Sequence, residues 1–313
     1  MDVARRLNAA LRATTGYELT RVPPPKQAAP TTTPTAAEGR FGRAEGKTTR
    51  RQPGGLTKVA KELVRPPADP KVDRLLSQPV FVLCPIRSGS TLLRLLLNAH
   101  SQLHAPHELH LRRLFVQFQT DLCEEAMGAL GHNRADLEHL LWDRVLHREL
   151  VRSGKQTVVD KTPGNVFAHE RIATCWPDAR FIFLLRHPMS IVQSWADAEG
   201  SGRDVDAAVA HTLKFMEALQ RARTRLDGLT VRYEDLVSDP ARETGRACEF
   251  LGLQWEPTML EYGQREGVLL TKGLGDWRDK IRSGNVQEGR AIPTAEEVHP
   301  ALRDISATWG YTS

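Results

Sequence analysis

The chain has 313 residues, of which 40% are hydrophobic, and is long enough for one large α/β domain or two small ones. Its net charge of +5 is unevenly spread: residues 1–79 hold 15 lysines and arginines against 7 acidic residues, and the remainder carries a net charge of −3. A near-neutral folded part argues against a nucleic-acid-binding face. No apolar run reaches the ~20 residues of a membrane span, and no apolar segment follows Arg5 and Arg6 as in a secretory signal.

The N-terminal quarter predicts three segments. Residues 1–22 are expected to form an amphipathic helix that contacts a membrane surface or a partner, or else a frayed helix without a role. Residues 23–55, rich in Pro, Thr, Ala and Gly, are expected to be a disordered basic linker. Residues 56–78 are a lead-in segment, and a single domain is predicted over 79–313.

The domain alternates strand and helix patterns, which predicts a mainly parallel sheet covered on both faces. Five strands are predicted: a first strand starting at Val80, a short one near Leu103, and Thr157–Asp160, Arg180–Leu185 and Leu229–Tyr233. The predicted helices are Glu108–Ala126, Asp136–Arg152, Val166–Cys175, Met189–Glu199, Val205–Leu226, Ala241–Leu251 and Glu296–Thr308. Ligands of such sheets bind at the carboxyl ends of the strands.

The first strand is followed by Arg87, Ser88, Gly89, Ser90 and Thr91, and then by a leucine-rich helix. A strand, a short polar loop and a helix N-terminus together favour a phosphate site. The loop lacks the first glycine and the lysine of the ATP-binding pattern G-x-x-x-x-G-K-[ST]. The alternative is a hydroxyl-rich turn that only caps its helix.

Two further strand ends carry cations. Lys161 follows the third strand, where it either points into the ligand crevice or is a solvated surface lysine. Arg186 follows the fourth strand, and Ser194 lies on the next helix. An arginine fork and a hydroxyl suit a second phosphate.

Near the C-terminus, Lys272, Gly273 and Trp277 lie in a basic, glycine-containing loop. Trp277 is suited to stacking on a base, although an ordinary surface loop with one anchored tryptophan is the alternative. Two phosphate sites and a stacking residue on one sheet predict a nucleotide with two separated phosphates.

These motifs resemble those of sulfotransferases that use 3′-phosphoadenosine 5′-phosphosulfate (PAPS). The Arg87–Thr91 loop is similar to the family's 5′-phosphosulfate loop, Arg186 to Ser194 to its 3′-phosphate motif, and Lys272 to Trp277 to its C-terminal phosphate and adenine loop. Residues 231–240 resemble a strand–turn segment of the family. The resemblance covers roughly residues 79–285. It implies a P-loop-like three-layer sandwich and PAPS as co-substrate.

The segment expected to hold the catalytic base differs from that of the family's cytosolic branch, which has a histidine in a Lys-Thr-His segment. Here the segment is Lys161-Thr162-Pro163. Glu108 falls at the same distance past the Arg-Ser-Gly loop as a glutamate of the tyrosylprotein branch, and polyketide-associated domains also look similar around it. We expect Glu108 to be the base, with His110 and His107 in reserve. The alternative is that Glu108 only begins a helix.

The resemblance implies in-line sulfuryl transfer, with Arg87 and Lys161 neutralising charge on the leaving group. No metal is expected, although His104, His107 and His110 recur at three-residue spacing, because Pro106 interrupts them and no HExxH motif occurs.

Two rival functions are a P-loop kinase or NTPase, which predicts magnesium-dependent ATP binding, and a non-catalytic anion-binding module. The acceptor is a small molecule, glycan or lipid. The four cysteines lack paired spacing, which favours reduced thiols and the cytoplasm.

Overall fold

The computed structural model describes residues 65–198, 204–262, 286 and 291–311. The segments predicted over 1–22 and 23–55, and the loop that carries Lys272, Gly273 and Trp277, lie outside the described residues. The predicted division of the chain into segments and one domain stays a prediction.

Five strands form one sheet: β1 (Val80–Leu83), β2 (Leu103–His104), β3 (Thr157–Asp160), β4 (Arg180–Leu185) and β5 (Gly228–Arg232). They are arranged in the order β2-β3-β1-β4-β5, and the four neighbouring pairs are all parallel. β2 and β3, which follow β1 in the chain, lie on one side of β1, and β4 and β5 lie on the other side. A crevice at the carboxyl ends of β1 and β4 is therefore expected.

Ten α-helices are found in the part of the chain that the structure describes. They are α1 (Pro70–Asp73), α2 (Ser90–Ala99), α3 (Asp121–Ala129), α4 (Arg134–Ser153), α5 (His169–Cys175), α6 (Pro188–Ala196), α7 (Val205–Arg225), α8 (Tyr233–Ser238), α9 (Pro240–Leu251) and α10 (Arg303–Thr308). Short 3₁₀ turns lie at Leu111–Arg113, Pro163–Phe167, Pro257–Leu260, Ala295–Glu297 and Pro300–Leu302. None of the described helices combines the length and apolar composition that crossing a bilayer requires.

The sheet has an apolar core on each face because successive strand residues point to opposite sides. Phe81 and Leu83 of β1 pack with α4, α5, α6 and α7, whereas Val80 and Val82 pack with the leucines of α2 and with α9. All four β1 side chains are buried. This layering confirms the predicted α/β sandwich with a mainly parallel sheet.

Two helix predictions are wrong. Residues 108–126 form a 3₁₀ turn, an extended stretch and only then α3, for a reason that lies in the site described below. Residues 296–308 are split between 3₁₀ turns and α10, because Pro300 has no N–H to donate and holds His299 in an extended conformation with φ −55° and ψ 136°.

Candidate active site

The loop between β1 and α2 is curled by two residues in the left-handed region, Arg87 with φ 61° and Gly89 with φ 83°. The buried Ser88 braces the loop by donating its hydroxyl to the Pro85 carbonyl over 2.8 Å. Gly89 is the N-cap of α2, whose first residue is Ser90. A helix N-terminus directs backbone N–H groups and a positive dipole end into this turn, which suits an anion.

Gly89 also lacks space for a side chain. A Cβ atom there would lie 2.2 Å from Cδ2 and 2.3 Å from Cε2 of Tyr233, the first residue of α8. The same ring contacts Arg186, whose guanidinium carbon lies 4.5 Å from the ring centroid. Tyr233 thus packs against both predicted phosphate-binding segments.

Arg87 contacts both Ser194 and Arg186. Arg87 Nε donates to Ser194 O over 3.2 Å and to Ser194 Oγ over 3.3 Å. Arg186 Nη1 donates to the Arg87 carbonyl over 2.8 Å. Arg186 and Ser194 are buried, whereas Arg87 is half-buried. The structure thus brings together three predicted site residues that are up to 107 positions apart in the chain. We call this cluster, with Ser88, Gly89, Ser90 and Thr91, the donor half of the site, and the Lys161–Glu108 pair the acceptor half; both names refer to the roles expected from the sequence.

Beside it lies the acceptor half, built around Lys161 and Glu108. Lys161 Nζ donates to Glu108 Oε1 over 2.7 Å; the lysine side chain is 1% exposed and the glutamate side chain 13% exposed. The alternative of a solvated Lys161 is therefore wrong. His110 Nε2 lies 3.4 Å from Glu108 Oε2, and the His110 side chain is 49% exposed. His107 Nδ1 lies 3.0 Å from the Glu108 carbonyl oxygen.

The acceptor half is held by a threonine that the sequence reasoning missed. Thr162 Oγ1 accepts hydrogen bonds from the backbone N–H groups of Leu109 (3.1 Å) and His110 (3.3 Å). His110 adopts a left-handed φ of 51°, which a right-handed helix does not admit. No helix therefore starts at Glu108, which removes the alternative that Glu108 only begins a helix.

Thr162 is itself oriented by a buried carboxyl group. Its hydroxyl donates to Asp160 Oδ1 over 2.9 Å, and Asn165 Nδ2 donates to Asp160 Oδ2 over 2.9 Å. Burial raises the pKa of Asp160, while the hydrogen bonds from Asn165 and Thr162 and the charge of Lys161 oppose that rise. The pattern Asp160-Lys161-Thr162 directly after a buried strand was the available signal for this arrangement.

The two halves meet at Cys84, the residue after β1. The buried Cys84 thiol interacts with the Ser90 and Ser88 hydroxyls and with the charges of Lys161 and Glu108. Burial is the largest influence and raises its pKa to about 11. Because β1 pairs with β3, with Phe81 opposite Asp160, the loop after β1 and Lys161 also lie at the same edge of the sheet.

The histidine spacing of the sequence does not produce a metal cluster in the described residues, where no group of three or more His, Cys, Asp or Glu side chains is placed to hold an ion. His104 lies in β2, and burial together with Lys155 lowers its pKa.

Residues 79–257 match the profile described as Sulfotransferase family. Nodulation protein NoeE of Sinorhizobium fredii is 26% identical over 270 residues, which cover 72% of this chain and 63% of that protein. Protein-tyrosine sulfotransferase 2 of Gallus gallus is 21% identical over 206 residues, covering 59% of this chain and 55% of that protein. The chain thus spans less than two thirds of these relatives.

Solved structures share the fold. The sulfotransferase domain from the curacin biosynthetic pathway superposes with a TM-score of 0.56 at 20% identity, covering 75% of this chain and 98% of that domain. The sulfotransferase domain from the Synechococcus PCC 7002 olefin synthase gives 0.53 at 20% identity, covering 77% and 98%. The family profile spans more than half of the chain and confirms the resemblance seen in its motifs. The chain belongs to the sulfotransferase family.

Proposed function

We propose that this chain transfers a sulfuryl group from PAPS to a hydroxyl group of an acceptor. One observation carries the proposal: Arg87, in the loop before the N-terminus of α2, contacts both Arg186, which follows β4, and Ser194 of α6. The Lys161–Glu108 pair lies next to them. The site therefore combines a doubly cationic anion site with a carboxylate that can accept a proton.

The donor half fits a nucleotide with two phosphates. Guanidinium forks and serine hydroxyls are groups that bind phosphate oxygens, and the N-terminus of α2 adds backbone N–H groups. We assign Arg87, Ser88, Gly89, Ser90 and Thr91 to the 5′-phosphosulfate. We assign Arg186 and Ser194, together with Lys272, Gly273 and Trp277, to the 3′-phosphate and adenine. These 3′-phosphate contacts would discriminate against ATP, which has no phosphate at that position.

When bound, PAPS supplies the sulfuryl group and a phosphate leaving group. Arg87 and the buried Lys161 stabilise the negative charge that develops on the leaving oxygen, since a charge inside a dry site interacts more strongly than in water. Neither residue needs a metal ion for this role, and we propose none.

Glu108 accepts the proton of the attacking hydroxyl. Its carboxylate is largely shielded from solvent, with Oε1 fixed by Lys161 and Oε2 3.4 Å from His110. A positioned base of this kind contributes roughly 100-fold to 10,000-fold to the rate. His110, half-exposed beside Glu108, is placed to pass the proton on to solvent. His107 is an alternative candidate for the base.

The proposal also includes the acceptor, the cellular compartment and the N-terminus expected from the sequence. The acceptor is a small molecule, a glycan or a lipid, and no nucleic acid is bound. We place the protein in the cytoplasm, an assignment supported by four unpaired cysteines. The basic N-terminus makes a peripheral contact with a membrane surface or a partner. The kinase alternative is disfavoured by the family and by the loop sequence.

Calorimetry with adenosine 3′,5′-bisphosphate and with magnesium-ATP tests the donor. We expect the bisphosphate to bind and ATP to bind at least ~10-fold more weakly, since one charge-assisted phosphate contact amounts to ~1.5–3 kcal/mol. Arg87→Ala should lose bisphosphate binding, whereas Arg113→Ala, at an exposed cation outside the donor half, should retain it. Equal or tighter binding of ATP would reject PAPS. Labelled PAPS with a panel of alcohols then tests transfer.

A further inference from the structure

Arg112 lies in the 3₁₀ turn that follows the Glu108 loop, and its guanidinium is packed in a defined place. Its Cζ lies 5.5 Å from the ring centroid of Phe167. A Cβ atom on Gly164 would lie 2.8 Å from Arg112 Nε, so the guanidinium lies against the bare backbone of that glycine. Gly164 and Phe167 belong to the 3₁₀ turn Pro163–Phe167, which starts two residues after Lys161.

The charge of Arg112 is not paired with a carboxylate in the described part of the chain, which covers the ranges 65–198, 204–262 and 291–311. The pKa of Arg112 is lowered, first by burial and then by the charge of Arg113. A guanidinium that is partly desolvated, next to a like charge, is the environment in which an added anion is most favourable.

The position of Arg112 connects it to the acceptor half. The backbone N–H groups of Leu109 and His110, just before its turn, are held by Thr162. Gly164, under its guanidinium, is two residues after Thr162. Arg112 therefore bridges the two segments that supply Glu108 and Lys161.

A row of rings continues from Arg112 across the protein surface. Phe167, which is 44% exposed, contacts Phe215 edge-to-face with 4.7 Å between centroids. Phe215 contacts His211 at 5.6 Å, and His211 stacks on Trp195 at 4.7 Å with an interplanar angle of 14°. Trp195 directly follows Ser194 of the donor half. The row thus links the two halves of the site along an apolar, ring-faced surface suited to the body of a substrate.

We propose that Arg112 binds an oxyanion of the acceptor, a carboxylate, phosphate or sulfate, while Phe167 and the ring row contact the rest of that molecule. The acceptor class is an alcohol or phenol that carries a negatively charged group, rather than a neutral lipid or sugar. This inference rests on the proposed function and adds the chemical class of its acceptor. Arg112 is a specificity-determining residue in this scheme.

The test uses matched acids and esters. The full-length protein, saturated with adenosine 3′,5′-bisphosphate, is titrated calorimetrically with 4-hydroxyphenylacetate and its methyl ester, and with 3-hydroxybutyrate and its methyl ester. We expect at least one acid to bind about 10-fold tighter than its ester, as one charge-assisted contact provides. Arg112→Gln should bring that ratio close to one, and Arg113→Gln, the matched control, should keep it.

Gly164→Ala provides a second variant that leaves every charge in place. The added Cβ displaces only the end of the Arg112 side chain, so the acid-to-ester preference should fall while the fold is retained. Equal affinity for acid and ester in the wild type, absence of measurable binding across all four probes, or a preference that survives Arg112→Gln would each overturn the inference. If adenosine 3′,5′-bisphosphate itself does not bind to the protein, PAPS is rejected as the donor, and both proposals fail.

Discussion

The donor half and the acceptor half of the site are held in place by different kinds of structure. Arg87, Arg186 and Ser194 follow or belong to regular elements, namely β1, β4 and α6, and Arg87 contacts the other two directly. Glu108 instead lies in an irregular segment between β2 and a 3₁₀ turn. That segment is fixed by Thr162 through side-chain hydrogen bonds to its backbone.

Because of this difference, the two halves should be sensitive to different kinds of substitution. The donor half relies on close packing at the strand ends, so steric changes there should disturb it most. The acceptor half relies on one buried chain of hydrogen bonds, from Asp160 through Thr162 to Leu109 and His110. Removing a single hydroxyl should disturb it, because a buried unsatisfied group costs ~1–3 kcal/mol.

Glu108→Gln is expected to have the largest effect. The amide keeps the size of the side chain but cannot accept the proton, so kcat should fall by roughly 100-fold to 10,000-fold. Transfer from labelled PAPS measures this fall. Binding of adenosine 3′,5′-bisphosphate, measured in parallel, should change little, because the donor half does not include Glu108. Full turnover in this variant would move the role of base to His110 or His107.

Gly89→Ala tests the steric character of the donor half. The new Cβ would meet the Tyr233 ring at 2.2 Å and would force alanine into a left-handed conformation that costs ~1–2 kcal/mol. Because the ring must move, we expect affinity for adenosine 3′,5′-bisphosphate to fall at least ~10-fold. Gly128→Ala is the control, since no atom lies within 4 Å of its added Cβ. Unchanged affinity in Gly89→Ala would show that this packing does not shape the site.

Thr162→Val removes the hydroxyl that supports the Glu108 loop while keeping the volume of the side chain. We expect the free energy of unfolding, measured by urea titration, to fall by ~1–3 kcal/mol because two N–H groups and Asp160 lose their partner. The value of kcat should fall more than bisphosphate affinity does. The half-buried Thr174, whose hydroxyl donates to the Glu170 carbonyl within its own helix α5, supplies the control Thr174→Val. Equal losses in kcat and in bisphosphate affinity would contradict a division into two halves.

The smallest expected effect is on the reactivity of Cys84, the residue at which the two halves of the site meet. Burial raises the pKa values of Cys84 and Cys248 to about 11 and that of Cys175 to about 12. A raised pKa keeps these thiols protonated below pH 10, and the thiolate is the reactive form. Ellman's reagent at pH 8 should therefore titrate one thiol of the native protein, the exposed Cys123, and four after denaturation. Cys123→Ser should abolish the native signal; fast reaction of Cys84 would mean that the junction is open to water.

That Arg87, Arg186 and Ser194 lie together was predictable from the sequence because the signals are local. An apolar strand, a glycine and hydroxyls at a helix start, and an arginine at a strand end each depend on neighbouring residues. The acceptor half was predicted only by residue type. The order of residues 108–126 suggested a helix, and no glycine or asparagine marked the left-handed turn at His110. Nothing local indicated either that Thr162, more than 50 positions away, would bond the backbone there. Long-range hydrogen bonds of this kind leave no periodic trace.

Tyr233 touches both Gly89 and Arg186, and this shared contact links three positions that are far apart in the chain. A larger residue at 89 has no room while the ring is present, and a smaller residue at 233 leaves the guanidinium of Arg186 without its platform. Substitutions at positions 89, 186 and 233 should therefore occur together in related sequences. In related chains that lack an aromatic residue at 233 the steric bar at 89 would be gone, and only the left-handed φ of 83° would still favour glycine there.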